Sequence, residues 1–575
     1  MRRAISWVGA IGSLLLVVGC AIETVVEPRT YDVILRSGTV YDGSGAPGRI
    51  ADVALAGDRI ALVAQNIQGI GREEIDVEGL AVAPGFINML SHAGVTLIQD
   101  GRAMSDVLQG VTLEVLGEGE TIAPVNAWLR DWILEHQADS NYDIEWSSMG
   151  DYLDYVDELG VAPNVASVVG ATTVRLLTTG FDLREVSSEE LKQMRALVRN
   201  AMEEGALGLG SSLIYGPAVA STTDELIALA SIVAEYDGIY ISHIRSESNR
   251  LTEAVEEVMR IAEQADVRAE IYHLKMAGHD NWHKYDEVVN LIESARRGGL
   301  EITANMYTYT AGKTGLDAAM PPWVQVGGYD SWARRLEDPE VRERVALEMT
   351  APSDEWENLY YHAGPEGTLL VDFRNPELRR HIGRTLAGVA SDRGVSPEET
   401  AMDLVVADGS KVGVVYFLMS EDNVRKQIAL PWMSFGSDGG APTAEGVFLR
   451  NNVHPRTYGN FARLLGKYVR EEQVIPLQEA IRKLTSLPAE NLRIRDRGRL
   501  EKGLYADIVV FDPATVTDHA TFAEPHQYAT GVLHVFVNGE QVVRDGEHTG
   551  ALPGRAIRGP GWIGGARHRV PGTGR

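Results

Sequence analysis

Cysteine is almost missing from this sequence. Among 575 residues there is one, Cys20, which excludes an intrachain disulfide, a cysteine metal cluster and a catalytic thiol in the body of the chain. Basic charge is also short: 53 Lys and Arg face 81 Asp and Glu, a formal net charge of −28. Phosphate binding needs a basic footprint, so nucleic acid is excluded as the partner. There is no internal repeat and no glycine loop of the kind that cradles phosphate. What remains is ordinary for a soluble globular protein, with 44% apolar and 23% charged residues. The length suits several domains, or one large barrel with additions.

The N-terminus is a separate element. Met1-Arg2-Arg3 is a basic start, Ala4–Val18 is mostly apolar, and Val17-Val18-Gly19-Cys20 closes the run. That run is too short and too rich in Gly and Ser for a convincing transmembrane helix. It resembles a bacterial lipoprotein signal, in which cleavage before the cysteine is followed by lipidation of its sulfur. The expectation is a mature chain tethered to a membrane at Cys20, in the bacterial cell envelope and outside the cytoplasm.

The stretch Gly238–Lys275 carries the first chemical signal. An apolar run, Ile239–Ile241, stops at Ser242-His243. Leu251, Val255, Val258, Ile261 and Ala262 follow at helical spacing, and a second strand-like run, Ala269–Tyr272, stops at His273. Parallel strands joined by a helix lie side by side, so the two histidines should be neighbours. Imidazoles at strand C-termini are a natural start for a metal site.

Strand-like runs alternate with helical ones through the middle of the chain. The strand candidates are Leu80–Ile87, Thr112–Leu116, Asn164–Val169, Leu207–Leu213, Ile239–Ile241, Ala269–Tyr272, Ile302–Tyr307 and Trp432–Phe435. Eight of them alternating with helices predict an α/β fold, a (β/α)8 TIM-like barrel. Helix Ser187–Glu204 opens on a capping box. Alternating β segments at both chain ends, with Asn538-Gly539 as a hairpin turn, predict one small β-sandwich formed by both ends. The expected division is a signal at 1–20, sandwich at 21–80 and 491–558, barrel at 81–490 with an insertion or lid at 313–430, and a mobile tail at 559–575. The lid should contain polar helical stretches at Pro339–Met349 and Pro376–Ala390.

The eighth strand ends in Gly436-Ser437-Asp438-Gly439, an acidic residue placed to take a proton from an attacking water. With Pro84-Gly85-Phe86-Ile87, Gln109-Gly110-Val111-Thr112, Ser242–Glu247, His273-Leu274-Lys275, Tyr307-Thr308-Tyr309, His454-Pro455-Arg456 and Gly503–Asp512, it completes a series running over nearly the whole chain. In that order the motifs resemble the amidohydrolase superfamily, and within it the N-acyl-D-amino-acid deacylases, or D-aminoacylases. The resemblance implies a zinc-dependent amide hydrolase releasing a carboxylate and a free D-amino acid. It implies His243 and His273 as zinc ligands, Asp438 as the catalytic acid/base, and Lys275, Tyr307 and Arg456 as holders of the substrate carboxylate. A cation, a phenol and a guanidinium suit that anion.

Two departures stand out. The family's His-x-His pair is reduced to His92, with Leu90 at the first histidine and Asn88 at the preceding aspartate, so one zinc is expected rather than two. The family's third ligand, a cysteine, aligns with Gly119, flanked by Glu118 and Glu120. A carboxylate can replace a thiolate on zinc. Glu118, nearer the strand end and on the face of Glu114 and Leu116, is the preferred ligand over Glu120. Two other readings fit the same motifs: a D-residue dipeptidase of the cell envelope, and a non-catalytic, surface-anchored binding protein of the same fold.

Overall fold

The computed structural model describes residues 29–564. Cys20 and the end of the tail lie outside the described residues. Among those residues, no helix is long and apolar enough to cross a membrane.

Eight parallel strands form the centre. In order they are Phe86–Ser91, Val111–Leu116, Asn164–Ser167 continued by Val169–Gly170, Gly208–Ser212, Ile239–His243, Arg268–Ile271, Ile302–Met306 and Met433–Phe435. Their hydrogen-bond ladder falls into two sheets, which meet where the third strand continues from Ser167 into Val169. At the other seam, Asp438 N donates to Leu90 O and His92 N to Gly439 O, joining the eighth strand's end to the first. These two bonds set His92 and Asp438 side by side. Gly436 makes the seam possible, because a Cβ there would lie 2.6 Å from Leu90 N.

The fifth strand, helix Leu251–Ala265 and the sixth strand form the expected unit. The strands pair in parallel with Ser242 opposite Ile271. All five apolar helix positions read from the sequence are buried, as the amphipathic pattern requires. Helix Ser188–Glu204 is capped by Ser187 with a reciprocal bond from Glu190.

The run Leu80–Ile87, read as one strand, is two. Ala81–Pro84 belongs to the terminal sheet and Phe86–Ser91 to the barrel. They part at Gly85, where a Cβ would collide with Thr112 at 2.1 Å. Ala81–Pro84 pairs with Ile508–Phe511, so the two ends of the chain meet in one sheet. Nine strands join in that one hydrogen-bonded network. It closes over an apolar core that joins Leu35, Val53 and Val82 to Val510 and Phe536. Asn538 and Gly539, with φ of 50° and 80°, make the tight turn that the Asn-Gly pair favours.

The excursion between the seventh and eighth strands holds more than helices. Ala311–Gly315, Thr368–Asp372 and Gly413–Phe417 form a three-stranded antiparallel sheet over its own apolar core. Pro339–Met349 is a helix as read. The stretch Pro376–Ala390 is divided into a short 3-10 turn, Pro376–His381, and helix Leu386–Arg393. Gly383, with φ of 79°, lies between them and interrupts helical geometry.

Candidate active site

The site lies where the barrel strands end, around a cavity of about 280 Å³. Glu118 is its hub. Its Oε1 lies 3.0 Å from His243 Nδ1 and 2.5 Å from His273 Nε2, and its Oε2 lies 3.1 Å from His92 Nε2. Glu120, the alternative ligand, is exposed and stands on the cavity's rim. The loop explains why no ligand stands at Gly119. Gly119 has φ of 71°, and a Cβ there would lie 2.4 Å from the Ser212 side chain, so a cysteine has neither the backbone conformation nor the room. The neighbouring glutamate reaches in instead.

His243 ends the fifth strand, and His273 lies two residues beyond the sixth. Their rings stand edge to face with centroids 4.6 Å apart. His273 and Asp438 both have left-handed backbones, with φ of 34° and 49°. Non-glycine residues adopt that region at a cost, and they cluster at functional sites. Asn305 supports His273 from beneath, its Oδ1 accepting from His273 N at 2.8 Å.

Glu118, His243 and His273 each turn one ligand atom into a single cluster whose atoms lie within 4.8 Å of one another. One carboxylate and two imidazoles are a zinc-type donor set. The electrostatics favour a cation there. Burial and Lys275 work against charge on His273, yet Glu118 and Glu247 push its imidazole up to about 9. Burial raises the Glu118 carboxyl, but the histidines outweigh this and hold it well below the usual range. His92, Glu118 and Asp438 form a second, more exposed group. Leu90, where the family has another histidine, is buried in the apolar filling of the barrel with Val115, Ile241 and Tyr272.

Asp438 Oδ1 lies 3.1 Å from His92 Nε2, and its Oδ2 accepts from Arg456 Nη2 at 2.9 Å. Burial would raise this carboxyl; the guanidinium overrides it and keeps the group below its ordinary value. Asp438 is therefore a carboxylate at neutral pH. Arg456 also donates Nε to the Asp438 carbonyl oxygen at 2.9 Å. The fork expected to grip the substrate is thus partly committed to Asp438. Among the described residues its Nη1 remains buried without a partner, as does the Tyr307 hydroxyl. The guanidinium carbon lies 4.4 Å from the Tyr307 ring centroid, so the two side chains are neighbours. Lys275 completes this wall, with Nζ bonded to Glu247 Oε1 at 2.5 Å.

Sequence reasoning gave no role to Glu247, although it stands in the Ser242–Glu247 motif. Its spacing of four residues from His243 carried a signal that only tertiary packing makes legible. Asn88 also gains a reason. Its amide donates to Glu114 Oε2 at 2.9 Å and Ser437 Oγ at 2.8 Å, and its carbonyl accepts from Ser437 N. Glu114 already faces Asp106, and an aspartate at position 88 would set a third carboxylate beside them. His454 is buried, bonded to Ala311 O at 2.8 Å, and holds the backbone beside Arg456.

A barrel with two strand-end histidines, a carboxylate hub and an ionised aspartate at its mouth defines the metal-dependent hydrolase class. The amidohydrolase family model matches residues 411–543. The D-aminoacylase of Alcaligenes xylosoxydans xylosoxydans is 33% identical over 532 residues, covering 92% of this chain and 98% of that protein. A solved D-aminoacylase structure, whose binuclear centre is described by one-metal activation and second-metal attenuation, superposes with a TM-score of 0.76 at 32% identity. It covers 92% of this chain and all of its own. An N-acyl-D-glutamate deacylase from Bordetella bronchiseptica, solved with zinc and a phosphonate mimic of the tetrahedral intermediate, gives the same TM-score and the same coverage at 28% identity. The chain belongs to the D-aminoacylase family of N-acyl-D-amino-acid deacylases, within the amidohydrolase superfamily.

Proposed function

We propose that this chain is a zinc-dependent amide hydrolase that converts N-acyl-D-amino acids into a carboxylate and a free D-amino acid. The observation carrying this reading is that one cavity joins the Glu118–His243–His273 cluster, the ionised Asp438, and the two unpartnered donors of Tyr307 and Arg456. Glu118, His243 and His273 would hold the zinc. When bound, zinc supplies Lewis acidity, polarising the acyl carbonyl and making water acidic enough to attack near pH 7.

The chain's own residues do the rest. Asp438 takes the proton of the attacking water and passes it to the nitrogen that leaves. Arg456 keeps Asp438 ionised and aimed. Buried donors without partners are costly, and a substrate α-carboxylate satisfies Tyr307 Oη and Arg456 Nη1 together. Lys275 adds positive charge. With the carboxylate and the carbonyl both fixed, the direction of the third substituent decides handedness.

One zinc is held tightly. The second group lacks the ligand that Leu90 replaces, and an ion there would occupy Asp438. The similar D-aminoacylase has a binuclear centre, and its description by one-metal activation supports a single ion as the active form.

The test is a matched substrate set: an N-acyl-D-amino acid, its L-enantiomer, its carboxamide and a D-dipeptide, each with native enzyme and Tyr307→Phe. The D-acid is hydrolysed fastest. A hydrogen bond to a charged group contributes about 1.5–3 kcal/mol, so the variant raises KM for the acid on the order of tenfold or more. The carboxamide shows little change. Tyr307→Phe is cleaner than a change at Arg456, which also disturbs Asp438. Equal rates for acid and carboxamide would remove the clamp, and a faster dipeptide would favour the dipeptidase reading.

The N-terminal sequence supports anchoring in the bacterial envelope through lipid on Cys20. Cys20→Ser then releases the protein into the soluble fraction, as membrane fractionation would show. Persistent membrane attachment of that variant would contradict the anchor.

A further inference from the structure

We propose that Glu247 is the positioning residue of the metal centre: this buried carboxylate stands behind His273, with His243 at longer range, and fixes which nitrogen His273 turns toward Glu118. This rests on the reading of Glu118, His243 and His273 as zinc ligands. Glu247 is 4% exposed. Its Oε1 lies 3.1 Å from His273 Nδ1, and its Oε2 lies 3.9 Å from His243 Nε2. The opposite nitrogens, His273 Nε2 and His243 Nδ1, are the ones that meet Glu118. A neutral imidazole carries one proton, so a carboxylate behind Nδ1 of His273 holds the proton there and leaves Nε2 as the donor to a metal. Such partners also raise ligand basicity and lock the ring.

The same oxygen that faces His273 accepts from Lys275 Nζ, which itself lies 2.8 Å from His273 Nδ1. Without the carboxylate, that ammonium would compete for the imidazole lone pair. Glu247 therefore keeps Lys275 toward the substrate wall and His273 toward the cluster.

The loop carrying Glu247 is held by other parts of the chain. Its backbone oxygen accepts from Ala277 N at 2.8 Å, just beyond the sixth strand. Its backbone nitrogen donates to Glu357 Oε1 at 3.1 Å. Glu357 Oε2 accepts from the Ser246 and Ser248 hydroxyls at 2.7 and 2.9 Å. Glu357 comes from the insertion between the seventh and eighth strands. The insertion thus braces the metal centre through Glu247 as well as covering the cavity.

The experiment measures zinc affinity by chelator competition on the full chain, for native protein, Glu247→Gln and Lys275→Met, with the visible bands of the cobalt-loaded forms alongside. Glu247→Gln weakens zinc by about 10–100-fold and shifts the cobalt bands. Lys275→Met, which removes the competing ammonium, binds zinc at least as tightly as native. Native-like zinc affinity and cobalt bands in Glu247→Gln overturn the proposal. A native chain that holds no zinc tightly overturns the metal-site reading, and the proposal with it.

Discussion

His243→Ala protein retains no tightly held zinc and loses its amide hydrolase activity. Losing an outer partner of a metal ligand costs about 10–100-fold in affinity, and losing the ligand itself costs more. The remaining donors, Glu118 and His273, fall below the three protein ligands of a catalytic zinc site. His243 is the better position for this test. His273 also meets Glu247 and Lys275 through Nδ1, at 3.1 and 2.8 Å, so its truncation disturbs more than the metal. His243 closes a regular strand, so its truncation reads the site alone. Zinc per chain after dialysis and kcat/KM for an N-acyl-D-amino acid check the result. Full zinc and activity in this variant would remove His243 from the centre.

Asp438→Asn gives the opposite pattern: zinc stays and turnover goes. A positioned proton shuttle contributes about 10²–10⁴-fold, so kcat falls by at least a hundredfold. Asparagine is nearly isosteric and tolerates the left-handed backbone that Asp438 adopts, with φ of 49°. The backbone bonds from Asp438 N to Leu90 O and from Arg456 Nε to Asp438 O survive the change. What is lost is the charge that Arg456 stabilises, and with it the capacity to accept a proton. An unchanged kcat, with zinc content as in native protein, would rule out Asp438 as the base.

Much of this was legible because it depends on local order. Strand–helix–strand spacing around His243 and His273 placed them as neighbours, since parallel pairing leaves few alternatives. Helix Leu251–Ala265 announced its buried face through 3.6-residue periodicity. Glu118 could be preferred over Glu120 because it stands nearer the strand end, on the face of Glu114 and Leu116. The barrel's seam was less visible. Leu80–Ile87 is apolar throughout, and only the close approach of Gly85 to Thr112 shows why the chain changes sheets there. The three-stranded sheet in the insertion was missed because its strands lie far apart in sequence and Ala311–Gly315 carries little β-branched character. Glu247, Glu357 and the Arg456–Asp438 bond were invisible for a related reason. Each joins segments brought together only by tertiary packing, and no periodicity marks a carboxylate behind an imidazole.

The Arg456–Asp438 contact also changes how the site reads. A motif match made Arg456 a clamp for substrate. The structure makes it first the partner that keeps the base ionised, with one nitrogen left for the clamp. Arginine, with five donors on a rigid plane, can serve both; lysine cannot.

The most direct test of the account is a zinc titration of metal-free protein, following hydrolysis of an N-acyl-D-amino acid and of its L-enantiomer. The D-substrate rate climbs to its maximum at about one zinc per chain, with the L-form far slower throughout. Hydrolysis that needs two zinc ions, that proceeds without zinc, or that favours the L-form would contradict it.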